Sequence, residues 1–163
     1  MDENKLTYVV LVIVIIGCLY VYFENNDFDL KCIVSGVDGN KYCVRERSKL
    51  KEASNLLATV TKKCKDLVAY TDEHHGSKEI VKRLVKGFDQ TVIKETLPTS
   101  KFTAYSENKG EKLAFCLNKK KQNNENLIDE HTLMFVAIHE LAHIMTLSIG
   151  HKTEFWDNFK FLL

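Results

Sequence analysis

The stretch TLMFVAIHELAHIMTLSIGH, residues 132–151, decides how this chain is read. From Thr132 to Leu147 it is almost continuously apolar, the pattern of a buried helix. His139, Glu140 and His143 interrupt that run, and three ionisable groups in an apolar helix are costly to bury without partners. Helix geometry suggests what the partner is. At about 3.6 residues per turn, positions 139 and 143 stand one above the other on the same face, so both imidazoles can converge on one ion. Glu140 then points just beside that face. Imidazole is a good ligand for Zn²⁺, and a catalytic zinc keeps three protein ligands with water in the fourth place. The ion lowers the pKa of that water towards ~7, and a neighbouring carboxylate can take its proton. H-E-x-x-H at this spacing therefore predicts His139 and His143 as metal ligands and Glu140 as general base.

A third ligand is expected where the chain turns back after the helix. Gly150 is suited to the left-handed conformation that ends a helix, and His151 follows it directly. His151 is the simpler choice, and Glu154 is the alternative, which would make the site two histidines and a carboxylate. His131 lies two turns before His139, roughly 12 Å away along the axis, too far to join the same ion. His74 and His75, in Asp72-Glu73-His74-His75-Gly76, read as solvated loop residues.

The tail HELAHIMTLSIGHKTEFWDNFKFLL resembles the WLM family of zinc peptidases. That family's core is H-E-L-x-H, a spacer ending in Gly-His or Gly-x-His, then three residues and Phe-aromatic. The matching positions are His139, Glu140, Leu141, His143, Gly150, His151, Phe155 and Trp156. The stretch from about Asp38 to Leu163 is similar to small WLM-like proteins of large DNA viruses of eukaryotes, which carry an N-terminal hydrophobic anchor. The resemblance implies a compact α+β zincin fold, a small antiparallel sheet with packed helices. It further implies Zn²⁺ at His139, His143 and His151, Glu140 as catalytic base, and a protein or peptide substrate. The spacer from His143 to His151 is longer than in the family pattern. Cellular relatives act on proteins crosslinked to DNA, but this chain shows no DNA-binding extension, so no nucleic-acid partner is expected.

At the other end, LTYVVLVIVIIGCLYVYF, residues 6–23, carries no charge. As a helix it would span about 27 Å, enough for a bilayer. Tyr8, Tyr20, Tyr22 and Phe23 lie towards its ends, where interfacial rings are favoured. A cleaved signal peptide would begin with basic residues and end in a small-residue site, whereas this chain begins Met1-Asp2-Glu3. The expectation is a single-pass anchor over 6–23, a short linker over 24–29 and one peptidase-like domain over 30–163, in a viral or virion membrane. Lys5 on one side and Lys31 on the other leave the orientation open.

The anchor leaves about 140 residues, the size of a single hydrophobic core. Net charge is +1 with both signs interspersed, so nothing in it suggests an extended nucleic-acid surface. Lys119-Lys120-Lys121 lies in a polar stretch expected to be a loop. Of five cysteines, Cys18 falls in the anchor. Cys32, Cys43, Cys64 and Cys116 match no zinc-ribbon spacing and are expected as unpaired thiols, although Cys32 and Cys43 flank a turn and could be close.

Asp38-Gly39 between β-formers predicts a hairpin over 30–46. An amphipathic helix is expected over 48–70, with Leu50, Ala53, Leu57, Val60, Cys64 and Leu67 on its buried face, and a second over 78–93. Residues 101–106 and 112–117 bracket a turn and read as a second hairpin, one strand of which is the candidate edge for an extended peptide. Phe155, Trp156, Phe159 and Leu162 recur at helical spacing, as if packing against the metal helix and holding the turn that carries His151. Glu154, Asp157, Asp129 and Glu130 are candidates to orient the ligating imidazoles. No tyrosine follows His151, so oxyanion stabilisation would fall to Tyr105 or His131. The sequence thus predicts a membrane-anchored zinc endopeptidase, and as its rival a noncatalytic membrane or virion protein that uses the same zinc for stability.

Overall fold

The computed structural model describes residues 3–24, 30–89, 91–120 and 123–163. The first element is helix α1 (Glu3–Glu24), whose side chains from Thr7 to Tyr20 are all exposed. Among the described residues no helix is long and apolar enough to cross a membrane. The expected anchor over 6–23 lies within α1, so its helical form is as expected while a membrane span is not shown. Most of the expected linker, 25–29, lies outside the described residues.

The domain then opens with the hairpin of β1 (Leu30–Val34) and β2 (Lys41–Arg45), paired antiparallel. Gly39 takes φ 72° at its turn, a left-handed value that glycine adopts without strain. The register sets Cys32 opposite Cys43, and the two form a disulfide. This corrects the expectation of free thiols, which rested on spacing alone. Cys64 and Cys116 are free and buried.

Helix α2 (Leu50–His75) buries Ala53, Leu57, Val60 and Cys64 as its periodicity predicts. It runs five residues beyond the expected end at 70, so His74 and His75 belong to its last turn rather than to a loop. Helix α3 (Glu79–Phe88) is shorter than expected. Val92 and Ile93 instead begin strand β3 (Val92–Glu95), which pairs in parallel with β5 (Lys112–Phe115). β-Branched residues at 91–93 favour the extended chain, and a partner strand decides the matter. The second hairpin forms as predicted, β4 (Ala104–Glu107) against β5, antiparallel.

The resulting sheet has the order β3-β5-β4. It is mixed rather than purely antiparallel, because β3 enters beside β5 on the side that the hairpin leaves open. β5 is central and Leu113, Ala114 and Phe115 are fully buried, while β4 is an edge. Another hairpin, β6 (Asn118–Lys120) and β7 (Asn123–Leu127), replaces much of the expected polar loop. Its polar composition gives no apolar alternation from which a strand could be read.

The last two elements are α4 (Glu130–Met145) and α5 (Thr153–Leu162). Asp129 caps α4, its carboxylate accepting from the Thr132 N–H at 2.9 Å, and Glu130 suits the positive end of the helix dipole. Leu133, Ala137, Leu141, Ala142, Ile144 and Met145 enter one core with α2, α3, β5 and α5. α4 is therefore held on several sides, and the face that carries His139 and His143 is the one left towards β4 and α5.

Candidate metal centre

His139, Glu140 and His143 lie in the second half of α4, as the periodicity requires. The helix ends at Met145, two residues earlier than expected, and Gly150, at φ 80°, turns the loop that follows instead of capping the helix. That turn returns His151 to the first two histidines. One ring nitrogen from each of His139, His143 and His151 lies within 4.8 Å of the others, and the Nε2 atoms of His139 and His151 are 3.0 Å apart. Tetrahedral zinc–nitrogen bonds of about 2.0–2.1 Å place ligand nitrogens about 3.3 Å from one another. The donor set and its spacing therefore fit a zinc ion after small side-chain adjustments.

Phe155 is the floor of this cluster. It is fully buried, and its ring centroid lies 4.7, 4.4 and 4.6 Å from those of His139, His143 and His151. Trp156 departs from expectation: the residue is 53% exposed rather than packed in the core. Its indole N–H nevertheless donates to the His151 carbonyl at 3.1 Å, so it does hold the turn that carries the third histidine.

Glu154, the alternative third ligand, is committed elsewhere. Its two carboxylate oxygens accept from the Leu147 and Ser148 N–H groups at 2.9 and 3.0 Å, which hold its pKa down to about 2. The other candidate carboxylates are likewise engaged away from the histidines: Asp129 caps α4 and Glu130 pairs with Lys63. Asp157 is exposed. His131 is exposed at the start of α4, away from the cluster.

The three histidines and Glu140 line a cleft of about 460 Å³, together with Phe102, Ala104, Tyr105 and Ser106 near or on β4, Asn108 and Lys109 of the β4–β5 turn, and Ile149 and Gly150. The candidate edge strand of the hairpin is thus β4, and Tyr105, unlike His131, reaches the cleft. Sequence reasoning missed Ser106, Lys109, Phe102 and Ile149. Only their positions next to a turn or to a ligand were visible, and no local pattern ties residues 102–109 to a helix that begins at 130.

Electrostatics distinguish the members. Glu140 is 5% exposed, and burial pushes its carboxyl up to about 7 against a smaller opposing hydrogen bond from the Ser106 backbone N–H. Burial lowers the pKa of His143 to about 4, with His139, His151 and Lys109 adding in the same direction. His139 is lowered by burial and then by His151. At neutral pH both helix histidines are therefore uncharged, the form that binds a metal.

The arrangement is an α+β domain with a three-histidine cluster and an adjacent buried carboxyl under a sheet edge. No family model matches the chain. An uncharacterized protein of Acanthamoeba polyphaga mimivirus is 26% identical over 159 residues, 95% of this chain and 80% of its own length. An uncharacterized protein of Invertebrate iridescent virus 6 is 40% identical over 48 residues, 29% of this chain and 27% of its own. Among solved structures, Wss1 from Saccharomyces cerevisiae shares the fold, with a TM-score of 0.51 at 19% identity over 71% of this chain and 77% of that one. A Wss1 mutant from the same organism gives 0.51 at 16% identity over 73% and 81%. The chain therefore has a Wss1-like fold and viral relatives.

Proposed function

We propose that this chain is a WLM-like zinc endopeptidase in which His139, His143 and His151 hold the ion and Glu140 is the general base. The observation that carries the reading is the convergence of three imidazole nitrogens within 4.8 Å, beside a buried carboxyl and in a cleft bordered by a sheet edge. Wss1, whose fold is similar, is a WLM-family zinc metalloprotease.

Bound zinc would supply Lewis-acid polarisation of the substrate carbonyl and a water acidic enough to lose its proton near neutral pH. This chain's own residues do the rest. Glu140, buried beside the histidines, takes a proton from water in the cleft and delivers one to the leaving amide nitrogen. The Ser106 N–H keeps that carboxyl aimed from β4 into the cleft. An extended peptide pairs with the free edge of β4 through main-chain hydrogen bonds, which tolerate many side-chain sequences. Tyr105 is the residue assigned to donate to the carbonyl oxygen as charge develops there.

The N-terminal anchor over 6–23 belongs to the same proposal. Its support is the uncharged run itself together with the exposure of every described side chain from Thr7 to Tyr20; such a surface favours a lipid environment. Viral relatives favour a viral membrane as its place.

The test uses the full-length chain purified in detergent. One zinc per chain is expected, lost in His139→Ala. Cleavage of an unfolded protein is expected from the wild type and not from Glu140→Gln, which keeps its zinc. Full zinc occupancy without cleavage of any unfolded protein would replace this reading with the noncatalytic, zinc-stabilised one.

A further inference from the structure

The spacer from Ile144 to Gly150 has to deliver His151 to the other two histidines, and apolar burial does not hold its tip: Leu147 and Ile149 are 68% and 86% exposed. Its backbone is gripped by charge instead. The Lys109 ammonium donates to the carbonyls of Thr146 at 2.7 Å and Ser148 at 3.2 Å, with a longer contact of 3.4 Å to that of His143. From the other side, the Glu154 carboxylate accepts from the N–H groups of Leu147 and Ser148 at 2.9 and 3.0 Å. Arg83 of α3 adds a bond to the Met145 carbonyl at 2.9 Å and lies 3.9 Å from Glu154. The carbonyls that the end of α4 leaves without helical partners are thus met by cations, which also suit the negative end of the helix dipole.

Lys109 is itself held firmly. It lies in the β4–β5 turn at φ 57°, followed by Gly110 at φ 117°. That turn is pressed against Gly87 of α3: a Cβ at Gly87 would fall 2.7 Å from the Lys109 carbonyl oxygen, and one at Gly110 would fall 2.3 Å from the Gly87 oxygen. The Thr91 hydroxyl ties the turn further, donating to the Gly110 carbonyl at 2.6 Å. Its ammonium therefore reaches the spacer from a fixed base, and Glu154 does so from the first turn of α5, one residue before the aromatic floor Phe155.

We infer that Lys109 and Glu154 are positioning residues which clamp the 146–148 backbone from opposite sides and so hold His151 in its metal-binding place; this rests on the zinc reading above. The clamp accounts for a spacer longer than the family pattern. Without it the loop would have to be ordered when the ion binds, and affinity would fall by the cost of that ordering.

Zinc dissociation constants of the full-length chain, measured by chelator competition with Co²⁺ as a spectroscopic probe, test this. Lys109→Met and Glu154→Gln are each expected to weaken zinc about 10–100-fold, the range for outer partners of a metal site, and Lys109→Arg to restore most of the loss. Their Co²⁺ spectra should move towards that of His151→Ala. Wild-type affinity and a wild-type Co²⁺ spectrum in both variants would overturn the clamp while leaving the zinc site standing. A wild type that binds no ion would instead remove the zinc reading and this inference with it. If Lys109→Met does not fold, Glu154→Gln, on the opposite side of the loop, decides alone.

Discussion

Glu95 and Glu140 are both buried glutamates, 0% and 5% exposed, yet their surroundings are opposite in kind. Glu95 accepts from the Arg45 backbone N–H at 2.8 Å and pairs with the Arg47 guanidinium. Arg45 lies alongside, 3.6 Å from Glu95, and its guanidinium donates to the carbonyls of Thr96 and Leu97 and to the Thr96 hydroxyl. Glu140 is held by the Ser106 N–H, and among the described residues no cation pairs with it. In the first cluster charge is buried and matched, which fixes β2 to β3. In the second, burial pushes a carboxyl up and two imidazoles down, so all three groups are shifted towards neutrality at one point of the surface. Groups poised in this way in a cleft are characteristic of a working site, whereas a matched network serves the fold.

The same substitution in the two clusters should therefore have opposite consequences. Glu140→Gln is expected to lower peptide hydrolysis about 10²–10⁴-fold, the usual contribution of a general base, with the melting temperature of the zinc-loaded protein maintained; turnover of an unfolded protein measures it. Glu95→Gln is expected to leave the zinc site's affinity nearly unchanged and to destabilise the fold by about 3–5 kcal/mol, since two guanidinium groups lose their buried partner; urea unfolding measures that. Near-normal stability in Glu95→Gln would break the contrast.

A third test sharpens it through pH. In chelator, Glu140 with its pKa raised to about 7 favours folding while protonated, and this contribution is lost as pH rises from about 4.5 to 7. His143, lowered to about 4, and His139 contribute in the opposite sense: their stability is present above about 6.5 and lost as pH falls. In the difference between Glu140→Gln and wild type the histidine contributions largely cancel. That difference should favour the variant increasingly from pH 4.5 to 7, then level off at roughly 3 kcal/mol. A flat difference would show that the carboxyl is not raised. The smallest effect is expected in the β1–β2 hairpin, away from the histidines: reducing Cys32–Cys43, which closes a short local loop, should cost at most about 2–3 kcal/mol and leave zinc binding unaltered.

How much of this could be read in advance depended on range. The helix of the proposed metal site announces itself because His139, Glu140, His143 and its buried face all fall within one local run, and Asp38-Gly39 and Asn108-Lys109-Gly110 mark their hairpins by turn chemistry. β3 reads as the end of a helix because Val92 and Ile93 continue an apolar rhythm; only the parallel partner at 112–115 makes them a strand. β6 and β7 are too polar to show alternation. The disulfide depends on a register that sets Cys32 against Cys43. Lys109 had no signal at all, since its contact with Thr146 joins residues 37 apart in sequence.

The edge of β4 has a further consequence, for handling rather than for catalysis. An open strand beside a cleft is a template for pairing with a second copy of the chain, and natural sheets keep such edges short or charged. β4 has four residues, ending at Glu107, which pairs with Lys112. That length is below a typical strand and gives another sheet little to grip. The edge is long enough to align a few residues of an extended peptide and too short to nucleate a ladder, so β4 should not drive self-association at the concentrations that binding measurements require.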